Sequence, residues 1–349
     1  MIKRRQTRRI YIGGVSIGEG APVRVQSMTK TDTRNIKATI RQIKQLELAG
    51  CEIVRVAVPD ITAAKVLGEI KKRIKIPMIA DIHFNYKLAL EAIKQGVDGL
   101  RINPGNIGAK WKVREVITAA KDRKIPIRIG VNAGSLPKDL IEKYGHPTHE
   151  AMVEAAERHI EILEELDFHD IKVSLKASDV MKTVEAYRLF SSKHDYPLHI
   201  GITETGPVPE GVVKSSIGIG LLLLEGIGDT IRVSLTDSPV VEVNVAYEIL
   251  RVTGFREKGV EIISCPTCGR CEVNIKKMVK QVKNALRNVK EPIKVAVMGC
   301  SVNGPGEAKE ADFGIAGGKG QGIVFVKGKI LKTVKETELV NALIEEIRK

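Results

Sequence analysis

Eight short runs of β-branched and apolar residues, each followed by an amphipathic stretch, dominate the first two thirds of the chain. The runs fall at 23–26, 53–58, 78–81, 99–102, 127–131, 171–175, 198–202 and 230–234. Between them apolar residues recur at helical spacing, as in Ile36, Ile40, Ile43 and Leu46. That periodicity predicts helices, the later ones near 60–73, 85–95, 107–123, 148–166, 178–192, 210–225 and 240–253. A strand pair at 9–12 and 15–17 precedes them. Strand–helix alternation repeated eight times predicts a (β/α)8 TIM barrel. The competing doubly wound sheet lacks its Gly-x-Gly-x-x-Gly turn after the first strand. Gly317-Gly318-Lys319-Gly320 has neither the spacing nor the Ser/Thr of a phosphate-binding Walker loop.

Polar residues recur within and just after these runs: Arg55, Asp81 with His83, Arg101 with Asn103, Arg128 with Asn132, Lys172 with Lys176, Thr203 with Glu204, and Arg232 with Ser234. Barrel interiors are ordinarily filled by Val, Ile and Leu. Cations placed once per strand near the carboxyl ends converge on one mouth, where guanidinium forks match phosphate oxygens. The bland alternative turns each arginine outward into a salt bridge. Glu204 reads either as a counter-ion to these cations or as an acid. Cys51 and Trp111 read as packing residues, and the histidines other than His83 show no metal spacing.

The pattern changes near Gly254, which divides the chain into a barrel at 1–255 and a small α+β domain at 256–349. Strands are expected at 260–264, 293–299, 312–316 and 322–330, with helices at 272–288 and 335–348. Four of the five cysteines lie here, in Cys265-Pro266-Thr267-Cys268-Gly269-Arg270-Cys271 and at Cys300. Each loop follows an apolar strand. Thiols delivered to turns by neighbouring strands suit zinc or an iron–sulfur cluster, and spacing alone does not choose between them. Read by thiols alone, Cys265, Cys268, Cys271 and Cys300 form the donor set. Lys276, Lys277, Lys280, Lys283 and Arg287 mark one helix as a solvated face or as a dock for an acidic electron carrier.

A formal net charge of +14 calls for an anionic partner. Aromatic residues make up only 4% of the 349, which argues against a base-stacking nucleic-acid surface. The longest apolar run, 217–224, is far below the roughly 20 residues of a membrane span. No apolar signal core follows the basic residues 1–9, so the cysteines read as thiols of a reducing, cytoplasmic compartment. Two rival classes remain: a non-redox barrel lyase or transferase with a structural zinc, and a nucleic-acid-binding protein.

Several stretches carry a family resemblance. They are 25–29 (Val-Gln-Ser-Met-Thr), 80–84 (Ala-Asp-Ile-His-Phe), 100–108 (Leu-Arg-Ile-Asn-Pro-Gly-Asn-Ile-Gly), 128–135, 199–204, Cys265-Pro266-Thr267-Cys268 and 303–307 (Asn-Gly-Pro-Gly-Glu). Nearly end to end, the chain resembles the bacterial 4-hydroxy-3-methylbut-2-enyl diphosphate synthases of the methylerythritol phosphate route to isoprenoids. The resemblance implies a barrel similar to dihydropteroate synthase and a C-terminal domain similar to part of sulfite reductase that carries a [4Fe-4S] cluster. It implies a homodimer in which one subunit's cluster domain closes over the other's barrel. Its cluster ligands correspond to Cys265, Cys268, Cys300 and Glu307, so the fourth ligand is a carboxylate and Cys271 is a departure from the usual pattern. Its substrate contacts correspond to Arg55, Asp81, His83, Arg101, Asn103, Arg128, Asn132, Lys176, Thr203, Arg232, Ser234 and, across the dimer, Asn303. The implied reaction is reductive opening and dehydration of 2-C-methyl-D-erythritol 2,4-cyclodiphosphate, with ferredoxin or flavodoxin as donor. Glu204 is the expected catalytic acid for the departing hydroxyl.

Overall fold

A computed structural model describes residues 2–257, 259–287, 289–300, 306 and 308–349. Asn303 and Glu307 lie outside the described residues. The chain divides into two compact units, Met1–Arg256 and Glu257–Lys349.

In the first unit, strands β1 (Ile10–Ile12) and β2 (Val15–Ile17) form an antiparallel hairpin. Eight parallel strands follow: β3 (Arg24–Met28), β4 (Ile53–Ala57), β5 (Met78–Asp81), β6 (Gly99–Arg101), β7 (Ile127–Asn132), β8 (Ile171–Lys176), β9 (His199–Ile200) and β10 (Thr230–Ile231). Their order is β8-β7-β6-β5-β4-β3-β10-β9, and a parallel bridge between Val173 and Leu198 joins the two ends into a barrel. The strands alternate faces, as extended chains must. Val54, Val56, Ala80, Leu100, Ile129, Val173 and Ile200 pack outward on the helices through Ile43, Leu67, Ala92, Val116, Ile160 and Leu222. At the amino-terminal end Ile53 and Ile79 meet Ile10, Ile12 and Ile17 of the hairpin, which closes that end with aliphatic side chains.

The helices begin where the sequence offers caps. Asn35, Asp60, Asn85, Thr148, Asp179 and Ser238 each accept a hydrogen bond from a backbone N–H in the following turn. The helix expected at 107–123 runs Lys110–Asp122, and a separate short helix, Pro104–Ile107, precedes it, with Gly108 at φ +101° between them. A short helix, Lys138–Tyr144, was not anticipated.

The second unit is a five-stranded sheet in sequence order: β11 (Val260–Ser264), β12 (Ile293–Met298), β13 (Phe313–Gly317), β14 (Gln321–Val326) and β15 (Lys329–Lys335). The first three strands run parallel, and the last two pair antiparallel. Helices Ile275–Leu286 and Leu339–Ile347 bury Met278, Val282, Leu339 and Leu343 against Val295, Val297, Ile315 and Val324. Two expectations are corrected. The single strand at 322–330 is a hairpin, because Lys327 and Gly328 both adopt positive φ and reverse the chain. The last helix consequently starts at Leu339, since 329–335 is spent on the edge strand.

Candidate functional site: a cationic barrel mouth and a thiol loop

Sheet register places Asp81, Arg101, Arg128 and Lys172 in one continuous row across β5 to β8. Gly130 and Ser174 form the next pair, and Asn132 and Lys176 the pair beyond it, at the carboxyl ends. Arg55 comes in from β4, and its Nε lies 3.5 Å from Asp81 Oδ2. Arg232 and Ser234 follow β10, and Thr203 follows β9. The inward set therefore carries Arg55, Arg101, Arg128, Lys172, Lys176 and Arg232 against one carboxylate, Asp81. Arg101, Arg128, Lys172 and Lys176 are buried, and outward salt bridges are not what these side chains make.

Asp81 sits between two guanidinium groups, with Arg101 Nη1 donating to its Oδ1 at 3.3 Å. Burial disfavours its charged form, but Arg55, Arg101 and Arg128 outweigh that and hold its pKa below the ordinary carboxylate value. Arg101 Nη1 also donates to His83 Nδ1 at 2.9 Å. Burial and that guanidinium lower the His83 pKa, which keeps the ring neutral and able to accept. Burial, then like-charged neighbours led by Arg128, pull Lys172 and Lys176 far below the usual lysine range. Burial and Arg55 bring Arg232 down to about 10. The interior is short of negative charge. Its unsatisfied donors show the same deficit: Arg101 Nε, Arg128 Nε and Nη2, Lys172 Nζ and Arg232 Nε have no protein hydrogen-bond partner. A multiply charged oxyanion supplies both missing quantities.

Two glycines make room for the cage. A Cβ on Gly130 would stand 2.6 Å from Arg101 Nε, so the guanidinium lies flat across that backbone and donates from Nη2 to the Gly130 carbonyl at 3.0 Å. A Cβ on Gly201 would stand 2.9 Å from Lys176 Nζ and 2.3 Å from the Arg232 carbonyl. Asn103 does not point a free amide at the mouth, because both of its polar atoms hold the Gly130 backbone. Glu204 is exposed at φ +53° and, among the described residues, pairs with no cation, so its reading as a counter-ion is corrected. Alternation also turns Gln26, Ser174, His199 and Thr230 inward, in step with the arginines, and sequence reasoning passed over them. His199 Nδ1 lies 2.8 Å from Thr230 Oγ1, and Arg128 Nη1 donates to Ser174 Oγ at 2.5 Å. Cys51 is buried with its thiol on the Ile53 carbonyl, as a packing residue should be. Trp111 covers little, being 53% exposed with an edge on Tyr86 and the Lys112 ammonium over its ring.

In the second unit, Cys265 directly follows β11 and Cys300 lies just past β12, and these strands are parallel neighbours with Ser264 opposite Val297. The Gly299 N–H donates to Cys265 Sγ at 3.2 Å. Cys268 is exposed, and hydrogen bonds from the Arg270 backbone and side chain hold its thiol below the ordinary value. Cys271 faces the core instead, its thiol donating to the Val273 carbonyl at 3.1 Å. All five thiols are free. Among the described residues no three His, Cys, Asp or Glu side chains are gathered closely enough to hold a single ion. Two thiols at adjacent strand ends and a third three residues from the first fit a thiolate-ligated cluster in donor chemistry.

Fold and site together define a TIM-barrel enzyme of anionic small molecules, joined to a thiol-bearing α+β domain. Residues 7–247 match the GcpE TIM-barrel domain and residues 261–349 the GcpE protein C-terminal domain. The chain belongs to the GcpE family. It is 99% identical over 349 residues, all of both chains, to a Thermodesulfovibrio yellowstonii protein named 4-hydroxy-3-methylbut-2-en-1-yl diphosphate synthase (flavodoxin). A Geobacter sulfurreducens protein of the same name is 58% identical over 99% of this chain and 98% of its own. Among solved structures, 3-dehydroquinate dehydratase from Geobacillus kaustophilus superposes with a TM-score of 0.50 at 12% identity, covering 72% of this chain and 99% of that one. That likeness concerns the barrel fold alone. Among the described residues no helix is long and apolar enough to cross a membrane.

Proposed function

We propose that this chain catalyses reductive ring opening of 2-C-methyl-D-erythritol 2,4-cyclodiphosphate to 4-hydroxy-3-methylbut-2-enyl diphosphate, with flavodoxin as electron donor. Two electrons and two protons enter, and one water leaves. The observation that carries this reading is the row of buried cations with a single carboxylate, whose orphaned nitrogens need a polyanion.

Arg55, Arg101, Arg128, Lys176 and Arg232 grip the cyclodiphosphate and neutralise charge as the ring C–O bond opens. Asp81 holds Arg55 and Arg101 apart and in place. His83, Asn132, Thr203 and Ser234 orient the sugar-derived hydroxyls at the rim, while Asn103 sets the Gly130 backbone beneath Arg101. Glu204, exposed at the mouth, protonates the departing hydroxyl. Cys265, Cys268 and Cys300, with Glu307, would hold a [4Fe-4S] cluster. When bound, that group supplies single electrons and an iron with an exchangeable position.

A homodimer is supported by helix Glu210–Leu224, whose exposed Val213, Ile217 and Leu224 recur along one side. Free thiols throughout the described residues support a reducing cytoplasm. The test is anaerobic reconstitution with iron and sulfide, then incubation with the cyclodiphosphate and reduced flavodoxin. The allylic diphosphate is expected. A fully reconstituted protein that binds the cyclodiphosphate and leaves it unchanged would refute the reading.

A further inference from the structure

Resting on the reading of a flavodoxin-fed redox enzyme, we propose that the exposed face of helix Ile275–Leu286 is the docking surface for that donor, an acidic flavoprotein. The helix buries Ile275, Met278, Val282 and Leu286 in its own domain and turns Lys276, Lys277, Lys280, Lys283 and the capping Arg287 to solvent. It contains no acidic residue, and none of these five cations makes an ion pair among the described residues.

This arrangement runs against what helices ordinarily do. Lys276 and Lys277 occupy the first turn, where the macrodipole is already positive and carboxylates are favoured. Lys276 with Lys280, and Lys283 with Arg287, are like charges four residues apart, a spacing that weakens a helix. Some surface cations elsewhere are paired, among them Lys121 with Asp167, Lys143 with Glu154, Arg188 with Glu225, and Lys332 with Glu346 in the same domain. Carboxylates of a docked partner would relieve these like-charge contacts.

The position of the helix supplies the rest. Its cap, Asn274, comes three residues after Cys271 and six after Cys268. The segment between them is tied to the end of β12 by the Glu272 N–H donating to the Gly299 carbonyl at 3.0 Å. The positive end of the helix therefore stands beside the thiol loop. A donor with a carboxylate-rich rim is drawn to that end across the reach of unscreened charge and delivers its electron next to the loop.

The test compares K276E/K277E/K280E with wild type and with K327E/K329E, a control at the β14–β15 turn. Binding of recombinant bacterial flavodoxin to the full-length reconstituted protein is titrated at low and high salt. Turnover is driven by photoreduced flavodoxin or by reduced methyl viologen, a small cationic donor. The triple variant is expected to bind flavodoxin about tenfold more weakly at low salt and to lose most of the salt dependence. Its viologen-driven turnover stays at the wild-type level. Carboxylates in the first turn favour the helix, so the unfolding midpoint is expected to hold or rise, which separates lost docking from lost folding. Unchanged affinity and salt slope in the triple variant, or an equal loss in the control, overturns the docking face. Wild type that neither binds flavodoxin nor turns over with it, while viologen works, overturns the donor itself.

Discussion

Asn103 clamps Gly130 in both directions: its side-chain N–H donates to the Gly130 carbonyl at 3.0 Å, and its side-chain oxygen accepts the Gly130 N–H at 2.9 Å. The same carbonyl accepts Arg101 Nη2. Replacing Asn103 with alanine strands the buried Gly130 N–H, which costs about 1–3 kcal/mol, and leaves the Gly130 carbonyl to Arg101 alone. Gly130→Ala leaves those bonds but pushes a methyl into Arg101. Asn103→Ala is expected to lower the denaturation midpoint and weaken substrate binding together. Gly130→Ala is expected to raise KM about tenfold or more with a smaller loss of stability. Chemical denaturation and steady-state kinetics on the two variants check the split.

Asp81→Asn removes the carboxylate that separates Arg55 and Arg101. Breaking a buried pair from one side costs about 3–5 kcal/mol at neutral pH. The folded-state pKa lies below the unfolded value of about 3.9. The carboxylate's contribution is thus complete above that value and lost as the pH falls below it. Wild type and variant should differ at pH 7 and converge in stability in acid. Inorganic phosphate should stabilise the variant more than the wild type, as read from melting temperatures.

His159 is buried under the short helix Pro104–Ile107, and its Nδ1 accepts the Gly105 N–H at 3.1 Å. Burial, with a smaller effect of Arg158, pushes its pKa down to about 4. The unfolded histidine titrates near 6.5, so stability is full above that pH and declines from there to about 4. The total is on the order of 3 kcal/mol. His159→Gln keeps an acceptor and removes the titration, so its stability profile should be flatter over that window.

Glu204→Gln keeps the size and exposure of the side chain but cannot release a proton. Cluster content and cyclodiphosphate affinity are expected to be unchanged, while kcat falls about a hundredfold or more. Normal turnover would remove Glu204 from the role.

Cys271 already has a structural post: its thiol donates to the Val273 carbonyl, and its sulfur would lie 2.6 Å from a Cβ on Gly299. Cys271→Ser is therefore expected to keep the full iron and sulfide content after anaerobic reconstitution, whereas Cys265→Ser and Glu307→Ala lose it. Mössbauer spectra of the three variants decide the ligand set.

The barrel was legible because its strands are nearly continuous apolar runs broken by charges of one parity, and parity alone turns Arg101, Arg128, Lys172 and Lys176 inward. The same parity would have given Gln26, Ser174 and His199, had uncharged residues been weighed with the charged ones. The Asn103 clamp was not legible. An amide beside an arginine at a strand end looks alike whether it faces a ligand or a neighbouring strand's backbone, and only the Gly130 register decides. His159 left no trace either, since its partner is a backbone N–H more than fifty residues away. The β14–β15 hairpin turns at Lys327 and Gly328, and the glycine was a turn signal passed over because Lys327, unlike Asn or Asp, does not advertise a positive φ.

The isoleucine hairpin makes the barrel a blind-ended vessel. With Ile10, Ile12 and Ile17 stopping one end, ligand and solvent share a single doorway, so whatever seals the rim also dries everything beneath it. A charge that meets the ligand in such a vessel is screened less than it would be in an open pore, so the floor contributes to the grip alongside the residues that touch the ligand.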